Sequence, residues 1–174
     1  MPRFIAPALI ALALAGCTTI DNRTTNLGTA QLANAEGRPV GTAVLFRRGS
    51  ETTVSVTING MPGAIHGMHL HAVGKCEAPF TSAGPHLNPG GHQHGKDNPQ
   101  GAHLGDLPNV TIDKAGLGTA SASLGLGLDS AAIDAALFDA DGTTVVLHAA
   151  ADDYRTDPTG NSGARIACGV LKRL

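Results

Sequence analysis

The chain has 174 residues, of which 15% are charged, and a formal net charge of −2 at pH 7. This length suits a single domain. A slightly acidic chain lacks the basic field that a nucleic-acid-binding surface needs, so we expect no nucleic acid among its partners.

The N-terminus has the pattern of a secretory signal peptide. Arg3 precedes an apolar stretch over residues 5–15, which is too short for a membrane span of about 20 residues but suits a signal-peptide core. The stretch ends in Leu-Ala-Gly-Cys at residues 14–17, which resembles the lipobox of bacterial lipoproteins. The resemblance implies a lipoprotein signal peptide over residues 1–16, cleavage before Cys17 and lipidation of Cys17. An ordinary signal peptide, cut one or two residues earlier, is the alternative.

The segment after the signal peptide is polar and featureless. Residues 17–26 are therefore interpreted as the lipidated cysteine and a tether, and residues 27–174 as the folded domain. Thr18 rather than an aspartate follows the cysteine, which by analogy favours the outer membrane. The expected location is the periplasm, with membrane contact only through the lipid on Cys17.

Lipidation of Cys17 leaves Cys76 and Cys168 as a pair. An exported protein folds in an oxidising compartment, where two cysteines can form a disulfide. Such a bridge closes a loop of about 90 residues, for which the chain-entropy model gives roughly 4–5 kcal/mol of stabilisation. Two buried free thiols are the alternative.

Short strand-like segments separated by turn residues follow the tether. Residues 53–58 alternate strictly and place three β-branched side chains on one face, and Asn59-Gly60 is a hairpin-type break. Short strands at this spacing predict an all-β fold, either an antiparallel sandwich or a barrel. Residues 123–138 also allow a short helix. The predicted strands are residues 28–33, 40–47, 52–58, 64–71, 110–112, 117–124 and 143–148.

Two histidines stand one residue apart in the segment GMHLHAVGKC, residues 67–76. Because side chains alternate along a strand, His69 and His71 point to the same face and can share a metal ion. The alternative is a half-exposed strand whose polar face happens to carry histidine twice.

The long Gly/Pro/His-rich stretch over residues 73–108 is the second unusual feature. Loops of this length inside a compact domain are usually functional or disordered. Two imidazoles and a carboxylate, from His94, His103 and Asp106, need one more imidazole to complete a tetrahedral zinc site, and metal binding would order the loop. A solvated or nonspecifically metal-binding tract is the alternative. The titratable residues of the stretch include His86, His92, His94, His103, Asp97 and Asp106.

Five segments, in this order along the chain, resemble the signature segments of the copper/zinc superoxide dismutases. The resemblance covers the chain from about residue 27 to its end, and the compact loop ADDYRTDPTGNSGAR resembles the bacterial periplasmic branch. The implied fold is an eight-stranded Greek-key β-barrel with long metal-binding and active-site loops. The five segments are GMHLHAVGKC, TSAGPHLNP, HLGDLPNV, VVLHAAADDY and GNSGARIACGV.

The resemblance implies a role for each matching residue. Asp152 matches a carboxylate that links a copper histidine to a zinc histidine, Arg165 matches the guanidinium that attracts the substrate, and Cys76 and Cys168 match the intrasubunit disulfide. His92 competes with His94 for the zinc role, and we favour His94. The implied copper ligands are His69, His71, His86 and His148, and the implied zinc ligands are His86, which bridges the two metals, His94, His103 and Asp106.

The implied function is the dismutation of superoxide to dioxygen and hydrogen peroxide, which would protect the cell envelope. Copper would cycle between oxidation states, zinc would stay redox-silent, and His86 would return a proton to the product. A noncatalytic metal binder on the same fold and a structural surface sandwich are the alternatives.

The sequence leaves monomer and homodimer open, and it suggests a structural or solvated role for His66.

Overall fold

The structure is a computed structural model that describes residues 23–174, so the predicted signal peptide and Cys17 lie outside the described residues. Most regular structure in the described range is β-strand, with one α-helix, α1 (Ser130–Leu137), and one 3₁₀ turn (Thr81–Ala83). The strands are β1 (Thr24–Asn34), β2 (Pro39–Arg48), β3 (Glu51–Asn59), β4 (Ile65–His66), β5 (Met68–His71), β6 (Val110–Thr111), β7 (Leu117–Leu124), β8 (Thr144–His148), β9 (Arg165–Val170) and β10 (Lys172–Arg173).

The strands form one large antiparallel sheet in the order β5-β8-β9-β1-β2-β3-β7, with β10 paired to β1. Strands β4 and β6 form a separate pair. The all-β prediction is confirmed, but the sheet is an open half-barrel with β5 and β7 at its edges. The expected count of eight barrel strands is not confirmed, because the main sheet reaches eight only with the two-residue β10.

Side-chain alternation places the core inside this curved sheet. In β3, Val54, Val56 and Ile58 are buried while their neighbours are less so, as the sequence pattern predicts. Burial of these side chains is the main favourable contribution to folding. Strand β1 begins at Thr24, three residues before the expected start of the domain.

Strands β5 and β8 are buried on both faces. In β5, Met68 and Leu70 belong to the apolar core, whereas His69 and His71 point the other way and are also fully buried. A half-exposed strand is therefore excluded. The outer face of these strands is covered because loops cross it.

The ambiguous segment over residues 123–138 contains helix α1. Asp129 caps its N-terminus by accepting a hydrogen bond from the N–H of Ala132 at 2.8 Å. Ile133 and Leu137 are buried, and an ion pair of 2.6 Å between Arg47 on β2 and Asp134 attaches the helix to the sheet. Within the described residues no helix is long and apolar enough to cross a membrane.

Two long loops cover the outer face of the sheet, and we call them the first loop (residues 72–109) and the second loop (residues 149–164). A disulfide joins Cys76 of the first loop to Cys168 on β9, which confirms the predicted pairing. The bridge ties the beginning of the first loop to the strand that leads out of the second loop.

Candidate metal centre

Three buried histidines are presented by the sheet and one by the first loop. Strands β5 and β8 are antiparallel neighbours, with His69 opposite Val146 and His71 opposite Thr144. His148 is the last residue of β8. His86 joins them because it forms an isolated β-bridge with His71.

These four imidazoles converge on one point, and we call them the four-histidine group. Each offers a ring nitrogen within 4.8 Å of the others, and Nε2 of His148 lies 3.4 Å from Nε2 of His71. His69 Nδ1 and His86 Nε2 are buried and have no hydrogen-bond partner. Buried polar atoms without partners are rare in folded proteins. The unpaired nitrogens therefore fit a metal ion, which would complete their bonding.

The other ring nitrogens of the group are bonded to the protein, which fixes the orientation of each ring. His71 Nδ1 donates to the carbonyl of Gly84 at 2.9 Å, and His148 Nδ1 donates to the carbonyl of Gly163 at 3.2 Å. His69 Nε2 donates to Asp152 Oδ2 at 2.8 Å. Such outer bonds set the tautomer and aim the free nitrogen inward.

Burial keeps these histidines neutral. It lowers the pKa of His71 to about 2, that of His148 to about 3 and that of His86 to about 4. The pKa of His69 is also lowered by burial. Neutral imidazole is the form that binds metal ions, so the group needs no deprotonation near pH 7.

A second set of donors surrounds Asp106, and we call it the Asp106 group. Its Oδ1 lies 3.1 Å from Nδ1 of His86, 2.9 Å from Nδ1 of His94 and 3.1 Å from Nδ1 of His103. The other oxygen, Oδ2, accepts hydrogen bonds from the backbone N–H groups of Gly95 and His103. Three imidazole nitrogens and one carboxylate oxygen are a donor set that suits zinc.

Carboxylates give the Asp106 group a different electrostatic character. Burial raises the pKa of Asp106, but hydrogen bonds from His103, His86 and His94 outweigh it and hold that pKa well below its usual range. Burial lowers the pKa of His94, but its bonds to Asp106 and Asp152 outweigh burial and raise the pKa to about 9.

Asp152 connects the two groups from the second loop. Its Oδ2 accepts from His69 at 2.8 Å and its Oδ1 accepts from His94 Nε2 at 2.9 Å. Burial raises the pKa of Asp152, but the bonds from these two histidines more than compensate, so the carboxyl stays ionised. The position matches the linking role implied by the sequence resemblance.

Arg165 lies beside the four-histidine group at the edge of a cavity of about 590 Å³, which His86 and His103 also line. Its guanidinium donates to the carbonyls of Phe80 and Gly84, both at 2.7 Å. The Gly84 carbonyl thus receives hydrogen bonds from both Arg165 and His71. The guanidinium is fixed where an anion in the cavity can reach it, and burial lowers its pKa.

The structure also distinguishes His94 from two other histidines, His92 and His66. The His94 ring is fully buried in the Asp106 group, whereas His92 is exposed and its backbone bonds to the side chain of Asn88. His66 is buried, and its Nδ1 donates to the backbone carbonyl of His148 at 2.7 Å. Among the described residues, His92 and His66 belong to neither set of ligand atoms that lie within 4.8 Å of one another; His103 also falls outside both sets, but its Nδ1 lies 3.1 Å from Asp106 Oδ1.

Three residues around the centre were missed by the sequence analysis. Asp157 accepts a 2.6 Å hydrogen bond from the backbone N–H of His94, and Asn109 and Tyr154 bond to Asp152 and to each other. Most of these contacts join the first loop to the second, 43 to 63 residues away. No local pattern in the sequence signals them.

Comparison with known proteins agrees with this geometry. The family model for copper/zinc superoxide dismutase matches residues 40–171. Superoxide dismutase [Cu-Zn] 2 of Aquifex aeolicus is 40% identical over 146 residues, which cover 82% of this chain and 85% of that protein.

Solved structures of similar proteins have the same fold. The crystal structure of a superoxide dismutase-like protein from Bacillus subtilis has a TM-score of 0.75 at 35% identity, and the match covers 85% of this chain and all of that one. The Cu/Zn superoxide dismutase from Brucella abortus has a TM-score of 0.65 at 26% identity, covering 86% and 100%. The chain therefore belongs to the copper/zinc superoxide dismutase family, and it is an enzyme of that family whose cofactors are copper and zinc.

Proposed function

We propose that the protein dismutates superoxide at a copper ion held by the four-histidine group and joined through His86 to a zinc ion in the Asp106 group. The position of His86 carries the proposal. Its Nδ1 lies 3.1 Å from Asp106 Oδ1, while its Nε2 faces the four-histidine group without a protein partner. One imidazole thus offers a nitrogen to each group.

The zinc ligands need a choice between two histidines. The set of ligand atoms within 4.8 Å of one another beside Asp106 consists of His69, His86, His94 and Asp106 and leaves out His103, so this distance criterion alone favours His69. His69 Nε2 is already bonded to Asp152, and its Nδ1 is an unpaired atom of the four-histidine group. His103 Nδ1 lies 3.1 Å from Asp106 Oδ1 and 3.3 Å from His86 Nδ1. We therefore assign His103 to zinc.

Bound copper supplies the one-electron chemistry that converts two superoxide ions into one dioxygen and one peroxide. His86 is placed to move a proton, because its Nε2 faces the reacting side while its Nδ1 is held on the zinc side. Nε2 would hold a proton only when copper is not bound to it, and that proton together with one from water would complete hydrogen peroxide. Arg165 binds and orients the anion. Because the whole chain is slightly acidic, attraction for superoxide must come from local charges such as this guanidinium.

The shared imidazole can be tested by electron paramagnetic resonance. With copper loaded into both groups, an imidazolate bound to both ions couples their unpaired spins and weakens the signal of isolated Cu(II). The variant His86→Gln should restore two uncoupled signals, while the matched variant His92→Gln should not. Uncoupled copper in the parent protein would contradict the bridge.

We further propose that the protein is a periplasmic lipoprotein that protects the cell envelope. The lipobox-like residues 14–17 support this, and the disulfide is consistent with an oxidising compartment. Strand β1 begins at Thr24, seven residues after Cys17. Extended residues span at most about 3.6 Å each, so the lipid would hold the domain within roughly 25 Å of the bilayer.

Membrane fractionation of a bacterial host that expresses the full chain tests the proposed cellular location. The parent should sediment with membranes, and Cys17→Ser should appear in the soluble periplasmic fraction. The exposed-site variant Thr119→Ser, which leaves Cys17 intact, serves as the control. Unchanged fractionation of Cys17→Ser would contradict lipid anchoring without affecting the proposed chemistry.

A further inference from the structure

We propose that Tyr154 is a positioning residue for the metal centre: it holds Asn109, which in turn holds the carboxylate of Asp152. The inference rests on the metal assignment above and concerns residues outside the ligand set. It starts from the position of Asp152, which is 3% exposed and bonds to a histidine of each group. A small rotation of this carboxylate would loosen both histidines.

Asn109 fixes the backbone of Asp152 on both sides. Its Oδ1 accepts from the Asp152 N–H at 2.8 Å, and its Nδ2 donates to the Asp152 carbonyl at 2.9 Å. Asn109 lies at the end of the first loop, three residues after Asp106. This pair of bonds therefore joins the two loops at the residue that links the metal groups.

Tyr154 fixes Asn109 and Asp152 together. Its phenol oxygen accepts from the Asn109 backbone N–H at 2.7 Å, and its own N–H donates to Asp152 Oδ1 at 2.7 Å. That Oδ1 is also the acceptor for His94 Nε2. Tyr154 adopts a left-handed backbone conformation with φ of 62°, which is unfavourable for a bulky residue. Such a conformation persists where surrounding contacts impose it.

The same tyrosine also attaches the chain that follows His94. Its backbone carbonyl accepts from the N–H of Asp97 at 3.0 Å, and Lys96 Nζ lies 4.1 Å from the centre of its ring. The Gly95 backbone passes so close to this carbonyl that a side chain at Gly95 would clash with it. Tyr154 therefore contacts two parts of the centre. One is Lys96 and Asp97, which follow the proposed zinc ligand His94, and the other is Asn109, which bonds to the Asp152 backbone.

The phenol oxygen has a specific role that a phenylalanine ring cannot fill. Tyr154→Phe keeps the ring and its contact with Lys96 but leaves the Asn109 N–H without its acceptor. An unsatisfied donor of this kind is costly, so Asn109 is expected to shift towards another partner. Asp152 then loses its fixed orientation towards His94. Loss of outer hydrogen-bonded partners typically lowers metal affinity by about 10- to 100-fold.

The test uses the full chain loaded with copper and zinc, and it measures zinc release to a chelator. Tyr154→Phe should release zinc about tenfold faster than the parent. With Co(II) in the Asp106 group, its visible absorption bands should shift, because the field of the ligands changes. The matched variant Lys96→Met removes only the cation over the ring and should match the parent in both readouts. Parent-like zinc release and cobalt bands in Tyr154→Phe would overturn the proposal.

A double-mutant cycle tests the path through Asn109. Asn109→Ala should release zinc faster than Tyr154→Phe, because it removes both bonds to Asp152. If Tyr154 acts through Asn109, the double variant should be no faster than Asn109→Ala, whereas fully additive effects would overturn the path. Unchanged spin coupling in dicopper Tyr154→Phe would show that His86 still bridges, which separates this proposal from the bridge itself.

A measurement on the parent protein avoids any folding defect of the variants. The chain has one tyrosine and no tryptophan, so its tyrosine emission reports Tyr154 alone. Zinc removal should change this emission at the same rate as the metal leaves. Emission that stays constant during zinc removal would overturn the proposal, whatever the behaviour of the variants.

Discussion

The four-histidine group and the Asp106 group share His86 but are built differently. Three histidines of the first group lie on β5 and β8, strands that are buried on both faces. In the Asp106 group all residues come from the first loop, and residues of the second loop hold them from outside. The first group is positioned by the sheet, whereas the second depends on loop contacts and on its metal. Metal binding should therefore contribute more to order in the Asp106 group.

The two groups also differ in charge. Burial leaves the imidazoles of the four-histidine group neutral, while two carboxylates raise the pKa of His94 to about 9. A neutral all-imidazole set accommodates both oxidation states of copper, and a set that includes a carboxylate suits zinc, which has no redox chemistry. On the proposed assignment, donor type and charge would therefore direct copper to the four-histidine group and zinc to the Asp106 group.

The largest expected effect comes from His148→Ala. His148 belongs to the four-histidine group and makes no contact with the Nδ1 atoms around Asp106, so the variant should lose copper and dismutase activity while keeping most of its zinc. Metal analysis by mass spectrometry and a superoxide assay measure both. Equal loss of the two metals would show that the groups are not independent.

Lowering the pH should destabilise the metal-free protein, because the histidines of the four-histidine group are neutral in the fold. Histidines whose folded pKa is depressed below the unfolded value of 6.5 bind fewer protons when folded. The protein therefore loses stability as pH falls below about 6.5, and the loss continues down to the folded pKa values of about 4 to 2. His94 works in the opposite direction, because its folded pKa is raised. The loss from the larger set should dominate, on the order of a few kcal/mol.

Urea unfolding of the metal-free protein at pH 7 and pH 5 measures this loss. The variant His71→Gln should show a smaller difference between the two pH values, while the exposed His92→Gln should behave like the parent. Equal stability of the parent at both pH values would mean that the buried histidines are not neutral in the fold.

A smaller effect is expected from removing a loop ligand. His94→Ala should weaken zinc binding by more than the roughly 100-fold upper range for loss of an outer partner, because it removes the proposed zinc ligand as well as its bond to Asp152. It should also make the first loop easier to cleave with protease. His92→Ala is the matched control two residues away and should change neither property. If His92→Ala depletes zinc and His94→Ala does not, the two assignments must be exchanged.

The smallest expected effect concerns Arg165, for which we propose a role in attracting the anion rather than in binding metal. Arg165→Ala should keep both metals and the disulfide but dismutate about tenfold more slowly, or roughly 1.4 kcal/mol of transition-state stabilisation. Arg165→Lys should recover part of the rate, since a point charge still attracts the anion but lacks the planar fork.

The salt dependence of the dismutation rate distinguishes an electrostatic role of Arg165 from a purely structural one. Added salt should slow the parent more than Arg165→Ala, because ions screen the field that guides superoxide. Metal loss or early unfolding in Arg165→Ala, with a salt dependence like that of the parent, would mean that Arg165 only supports the loop through its bonds to Phe80 and Gly84.

The two groups were predictable from the sequence to different degrees. Period-two alternation alone places His69 and His71 on one face, and the buried face of β3 follows from the same pattern. The complete burial of the two histidines did not follow, since it depends on loops that close over β5. The choice of His94 over His92 came from resemblance, and the structure brings only His94 beside Asp106.

Contacts between the loops were beyond the reach of the sequence pattern. Tyr154, Asn109 and Asp157 make bonds that depend on how two irregular segments meet, and irregular segments have no periodicity to read. The exact strand count is not confirmed for a similar reason, because Gly67 separates β4 from β5 and the pairing of such short strands depends on their neighbours. Long regular strands were therefore predicted better than the details of the loops.

A titration of metal-free protein with copper, after zinc has been bound, tests directly whether this protein is a copper- and zinc-dependent dismutase. We expect one zinc and one copper per chain, with superoxide dismutation that rises in proportion to copper and saturates at one equivalent. His148→Ala, which retains the Asp106 group, should bind zinc and stay inactive throughout. A protein that binds one of each metal but does not dismutate superoxide would contradict the account and identify the chain as a metal binder on this fold.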